Sequence, residues 1–134
     1  MSPGATTKTF VVKTVPVSTN EVGTVSATQG GKTLSQSLTV RPIGLSSVTL
    51  TPNPAVGGNT VVGKATLECK AGPGAIIVDL ASSNAALADP VAANVSIPQG
   101  VQTGSFDVAT NAVLAKATAS ISSTANGITK SKTL

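Results

Sequence analysis

The sequence predicts an all-β protein, and its composition, its periodicity and the spacing of its turns carry that prediction. Of 134 residues 40% are hydrophobic, yet Trp and Tyr are absent and there are only two Phe, so a core must be built from small branched side chains. Val and Ile that alternate with Thr and Ser are typical of a pleated surface with one buried face. No apolar stripe of helical period occurs. Seven short strands separated by regular turn signals therefore predict a β-sandwich with Greek-key connections.

The chain also carries an internal repeat, which organises its first third. Phe10 and Phe106 lie 96 positions apart, and the residues after each align without a gap, with 10 of 29 positions identical. The identical pairs are Phe10/Phe106, Val12/Val108, Thr14/Thr110, Val17/Val113, Ser26/Ser122, Thr28/Thr124, Gly31/Gly127, Thr33/Thr129, Ser35/Ser131 and Leu38/Leu134. A fixed offset indicates tandem units. We therefore predict an extended arm over 1–9, the last three strands of one unit over 10–42, and a complete unit over 43–134.

Within the complete unit, the first strand is predicted over 45–51, because Pro52 and Pro54 cannot donate to a ladder. The second is predicted over 60–70 and ends at the turn signal 71–74. The third follows that turn. Strict alternation assigns the core face of the second strand to Val61, Gly63, Ala65, Leu67 and Cys69, and that of the third to Ile76, Val78, Leu80 and Ser82.

The remaining strands are predicted over 94–97, 102–110 and 116–124, followed by a last strand. Phe106 and Val108 are expected to be buried in the 102–110 strand. Asn126-Gly127 predicts a two-residue hairpin turn before the last strand, because both central residues of such a turn adopt positive φ. Gly30-Gly31 stands at the same two positions of the earlier copy and meets the same demand.

Three stretches resemble the bacterial immunoglobulin-like repeats of cell-surface and phage virion proteins: LSSVTLTPNPAVGGNTVVGKATL, then IIVDLASSNAALA, then SIPQG before a Phe-containing strand. The resemblance covers about 43–134 as a whole unit and 9–40 as a terminal piece. It implies an immunoglobulin-like Greek-key β-sandwich, preceded by a partial E-F-G β-hairpin arm, that serves as a spacer, stalk, adhesive or decorating module. Lys132 departs from the small apolar residue that the family usually keeps on its final strand, so this strand is predicted to be short and polar.

Catalysis is not expected, and we predict no catalytic, cofactor-binding or metal-binding residue. The chain has no His, its single Cys69 is predicted to face inward, and its five acidic residues are scattered singly. Ser/His/Asp and Cys/His triads, paired carboxylates, calcium loops and zinc sites are therefore excluded on residue count and spacing. The nine basic residues form no cluster with stacking aromatics, which argues against nucleic-acid binding. The apolar run 75–78 is far shorter than the ~20 residues of a membrane span.

The partial unit at 10–42 is the basis of the functional expectation. A segment shorter than ~40 residues rarely folds alone, so the apolar face of this partial unit needs a partner. That partner is either the chain's own body or the matching face of another copy, reached by strand exchange. Its apolar residues are Phe10, Val12, Val22, Val25, Leu34, Leu38 and Val40, of which we predict Phe10, Val12, Val25, Leu34 and Leu38 as the assembly interface.

The function expected from these features is structural. A short reading frame that begins at Met1 without a signal peptide favours a phage virion component, either a capsid decoration or a tail protein. Its partners are then further copies of itself in a homo-oligomer, or capsid and tail proteins. The alternative is a fragment of a bacterial adhesin or stalk located at the cell surface. No membrane insertion is expected in either case.

Overall fold

A computed structural model describes residues 4–134, and this part of the chain is all-β with no helix. The prediction of an all-β sandwich is confirmed. Ten strands follow one another: β1 (Glu21–Gln29), β2 (Lys32–Val40), β3 (Leu45–Thr51), β4 (Thr60–Leu67), β5 (Ile76–Ser82), β6 (Ala88–Pro90), β7 (Asn94–Ile97), β8 (Thr103–Thr110), β9 (Ser120–Ala125) and β10 (Ile128–Thr133).

The last eight strands form two antiparallel sheets that enclose one core. One sheet has the order β3-β4-β8-β6 and the other has the order β10-β9-β5-β7. After β4 the chain crosses to the second sheet at β5 and then alternates between the sheets up to β9, with β6 and β8 in the first sheet and β7 in the second. Both inner faces contribute to the core. Its largest fully buried apolar side chains are Leu45, Leu67, Ile97, Ile121, Val61, Val78 and Val108.

The period-two pattern read from β4 is confirmed. Its residues from Val61 to Leu67 alternate between buried and more exposed positions, and β5 does the same from Ile77 to Leu80. In β3 the alternation is interrupted, because the pairing with β4 shifts between Leu45 and Ser47. This bulge lets Leu45 and Val48 both reach the core although they lie three positions apart.

A glycine on β4 makes room for the only aromatic ring in the core. Gly63 pairs with Phe106 across β4 and β8, and a Cβ at Gly63 would collide with the ring atoms Cε2 and Cζ of Phe106. Phe106 is only 6% exposed. Any side chain at position 63 would therefore push the ring out of its place.

Two predicted strand boundaries were wrong, and a lack of partners explains both. Strand β4 ends at Leu67, and Cys69 lies beyond it as an exposed free thiol instead of a buried residue. Strand β9 begins at Ser120, not at 116, because the neighbouring β5 ends where Ser82 pairs with Ile121. The short strand β6, which pairs with β8, was not predicted. The sandwich thus has eight strands where seven were expected.

Candidate assembly surface

The β1–β2 hairpin reproduces the β9–β10 hairpin of the sandwich. Its turn has φ of 57° at Gly30 and 77° at Gly31, and the later turn has 49° at Asn126 and 78° at Gly127. The strand registers also correspond: Thr28 pairs with Thr33, as Thr124 pairs with Thr129, 96 positions later in both strands. Even the hydroxyl contacts agree, at 2.7 Å between Oγ1 atoms in the first pair and 2.8 Å in the second. The sequence repeat is therefore also a structural repeat.

The segment 10–14 departs from its counterpart in the sandwich. At the offset of 96 it corresponds to part of β8, yet no strand of residues 4–134 pairs with it. Phe10 is 67% exposed, whereas the equivalent Phe106 is 6% exposed. The prediction of three strands in 10–42 was wrong in this respect, since the strand needs a neighbour like β4 to form.

The structure brings the five predicted interface residues together. Segment 10–14 and one face of the β1–β2 hairpin form an open apolar groove, which we call the arm groove. Leu34 is 69% exposed in it and Val25 is partly buried. No described segment of the same chain covers the groove, so these residues are not the ordinary intrachain core that was one alternative. The arm groove is lined by Phe10, Val12, Val25, Leu34 and Leu38, together with Ala27 and neighbouring polar residues.

One residue assigned to this face in the sequence belongs to the other. Val22 pairs with Thr39, while Val25 pairs with Gln36, and residues an odd number apart on a strand point to opposite faces. Val22 is therefore on the face opposite to that of Val25. Ala27, which pairs with Leu34, takes the place in the arm groove that sequence reasoning overlooked because alanine carries little signal.

An ion pair at the start of the sandwich joins the arm to the body. Arg41 donates a hydrogen bond of 2.6 Å from Nη1 to Oε2 of Glu68, and the same oxygen accepts one of 3.3 Å from the backbone N–H of Gly44. The Arg41 guanidinium and, to a lesser extent, the Gly44 N–H lower the pKa of Glu68 below its ordinary value. The same hydrogen bond raises the pKa of Arg41. The pair is solvent-exposed, so it orients the linker more than it stabilises the fold.

Two further contacts hold the linker at this end of the sandwich. The amide of Asn126 donates a 2.8 Å hydrogen bond to the carbonyl oxygen of Ile43. Pro16 packs against Gly72, and a Cβ at that glycine would overlap with the proline ring. The hairpin is thus attached to the body at its base while the arm groove stays open.

The two equivalent hairpins differ in the charges on their core-facing side. Lys130 and Lys132 of β10 pair with the buried residues Ser123 and Ile121, so they lie on the side of β10 that faces the core. Inward-pointing lysines on an edge strand oppose pairing with another chain. At the position of Lys130 the arm has Leu34. Gln36 stands at the position of Lys132, so the arm lacks both of these lysines, while Lys32 carries a charge on this side where the body has Ile128.

The described residues offer no arrangement for catalysis or metal binding. No three of their Cys, Asp and Glu side chains come together as metal ligands would. A second groove, at the far end of the sandwich, is lined mainly by small and apolar residues around Leu87, Val113 and Leu134, with Lys116 as its charged group. Between residues 4 and 134 there is no helix long and apolar enough to cross a bilayer.

Comparison with known proteins gives no further assignment: no family model, curated protein or solved structure matches this chain.

Proposed function

We propose that this chain is a non-catalytic structural protein that assembles through the arm groove. The observation that carries the proposal is the contrast between equivalent residues. The half-core formed by Phe10, Val25 and Leu34 is open, whereas Phe106 and Ile121 at the same repeat positions are buried. Open apolar surface of this kind marks an interaction site on a folded protein.

The first candidate role is that of a phage virion component, a capsid decoration or tail protein, in an immunoglobulin-like fold. The strand order β3-β4-β8-β6 against β10-β9-β5-β7 supports the immunoglobulin-like part of the proposal. A particle built of many identical subunits supplies the repeated apolar contacts that such an arm needs. Partners in this role are capsid or tail proteins and further copies of the chain.

The second candidate is a segment of a bacterial cell-surface adhesin or stalk. It is favoured by the tandem repeat and by the short connection from β2 to β3, which joins two units through 41–44. Fractionation of the producing cells and their lysate distinguishes the two roles. A virion component copurifies with intact particles released by lysis, whereas a stalk segment is digested by protease added to intact cells.

Assembly itself is tested by light scattering of the purified chain between low and high micromolar concentration. We expect an average mass that rises with concentration, and a lower mass at each concentration for Leu34→Lys. Thr39→Lys is the matched control, because Thr39 is exposed on the other face of β2 and the substitution adds the same charge. A compact monomer at all concentrations would exclude self-association.

A further inference from the structure

We propose that the arm groove is completed by a β-layer of the β3–β5 type that comes from outside this chain and presents a glycine to Phe10. This inference rests on the proposed assembly role and names the partner that the groove accepts. The body supports it, because the equivalent surface is already covered there.

The body shows which strands cover the equivalent positions. Strand β4 pairs with β8 and places Gly63 opposite Phe106, while β5 pairs with β9 from Asp79–Thr124 to Ser82–Ile121. Shifted by 96 positions, the first pairing puts a β4-like strand along 7–13, with a glycine opposite Phe10. The second puts a β5-like strand along the free edge of β1, from Val25 to Thr28. The required partner is therefore an apolar layer that also adds strands to an existing edge.

This layer cannot be the chain's own β3–β5 without loss. Those strands are already closed by β8, β9 and β10, and Val108 and Ile121 are fully buried beneath them. If the arm replaced β8, β9 and β10 on these strands, the core-facing side of β8, β9 and β10 would become exposed while the arm groove was covered. A layer from outside the chain covers the arm groove without uncovering anything.

At two positions the arm groove is more apolar than the equivalent surface of the body. Ala27 stands where the body has Ser123, whose hydroxyl is buried without a hydrogen-bond partner, and Leu34 stands where the body has Lys130. Both differences remove polar groups from the surface that the partner would cover. Charged side chains on the facing side of the partner would be left without a counter-charge in the groove.

The exposed area of the chain is large enough for such a partner. The chain exposes 8777 Å², whereas a compact monomer of 13.1 kDa exposes roughly 6,400 Å². The excess of roughly 2,400 Å² is spread over the whole arm, including the outer face of the hairpin, and about a third of it equals the ~800 Å² that each partner buries in a standard interface. Completion of the arm groove is therefore compatible with a stable complex.

The test uses a peptide with the sequence of residues 43–82, labelled with fluorescein at Cys69, and the full chain as its receptor. Cys69 lies beyond the end of β4 and is exposed, so the label does not occupy a core position. We expect the fluorescence anisotropy of the peptide to rise as the full chain is added. Leu34→Lys in the chain should weaken binding by about tenfold or more, because it places an unpaired charge in the groove. Thr39→Lys should leave binding unchanged.

The glycine requirement is tested in the peptide. Gly63→Leu should weaken its binding by about tenfold or more, because the added side chain fills the space that the ring of Phe10 would take. Equal binding of this peptide, or binding that Leu34→Lys in the chain leaves unchanged, would overturn the inference.

Failure of this inference is distinguishable from failure of the proposed function. One outcome is that the peptide fails to bind while the chain forms oligomers that Leu34→Lys dissociates. In that case the groove pairs with a second arm, so the inferred partner is refuted and the assembly role stands. If the peptide does not bind and the chain is monomeric at all concentrations, both are refuted.

Discussion

Alanine substitutions at the two repeat-equivalent phenylalanines should have very different effects on stability. The exposed fractions of Phe10 and Phe106 are 67% and 6%, a difference of roughly 60% of the residue. For an aromatic side chain that buries about 200 Å² this is ~120 Å² of surface, worth ~3 kcal/mol at about 25 cal/mol per Å². The cavity that Phe106→Ala would leave beside Gly63 adds to the loss of stability. We therefore expect Phe106→Ala to lower the free energy of unfolding by ~3–5 kcal/mol and Phe10→Ala to change it by less than ~0.5 kcal/mol.

The measurement is urea unfolding followed by far-UV circular dichroism at low protein concentration, since the chain has no Trp or Tyr for fluorescence. Equal losses in the two variants would refute the reasoning, because Phe10 would then be buried in the isolated chain. If the effect of Phe10→Ala grows with protein concentration, Phe10 becomes buried on self-association. In a complex with its partner, Phe10→Ala should cost ~3–5 kcal/mol of docking free energy, as in a buried core.

Three other substitutions test separate contacts. Because the folded pKa of Glu68 is lowered from its ordinary 4.5, its pairing with Arg41 stabilises the folded state above that pH and is lost as the pH falls through the folded value. The urea midpoint of the wild-type chain should therefore fall more steeply below pH 4.5 than that of Glu68→Gln; parallel curves would contradict the pairing. Gly63→Val should lower the free energy of unfolding by ~1–3 kcal/mol through overpacking. Gly23→Ala is its control, since no atom lies within 4 Å of the added Cβ, and a similar loss there would argue against a specific clash. Lys130→Leu removes an inward charge from the edge strand β10 and should increase light scattering at high concentration; scattering equal to that of the wild type would show that this lysine does not protect the edge.

The sequence predicted the body of the fold well where local signals agreed with the packing. Strand β4 alternates between Val61 and Leu67 as its pattern indicated, and Asn126-Gly127 forms the expected turn. The errors concern residues whose state depends on a distant neighbour. Cys69 continues the alternation of β4 in the sequence, but the strand has ended before it. A period of two does not reveal where a neighbouring strand stops.

The candidate surface was predictable to a similar degree. The apolar pattern of the partial unit predicted Phe10, Val12, Val25, Leu34 and Leu38, and the structure places these five residues in one groove. The sequence could not tell whether the groove is closed within the chain, because the same pattern fits both states. The linking contacts were also missed, since a single Arg and a single Glu that lie 27 positions apart carry no local signal.

The lysines of β10 make the two hairpins unequal with respect to the addition of a strand. Lys130 and Lys132 discourage addition of a strand at the β10 edge, while the β1 edge is free to accept one. If the chain associates through the arm groove as proposed, a neighbour would add at the β1 edge and would be opposed at the β10 edge. Such one-sided addition would act against the open-ended fibres that an unguarded repeat can form.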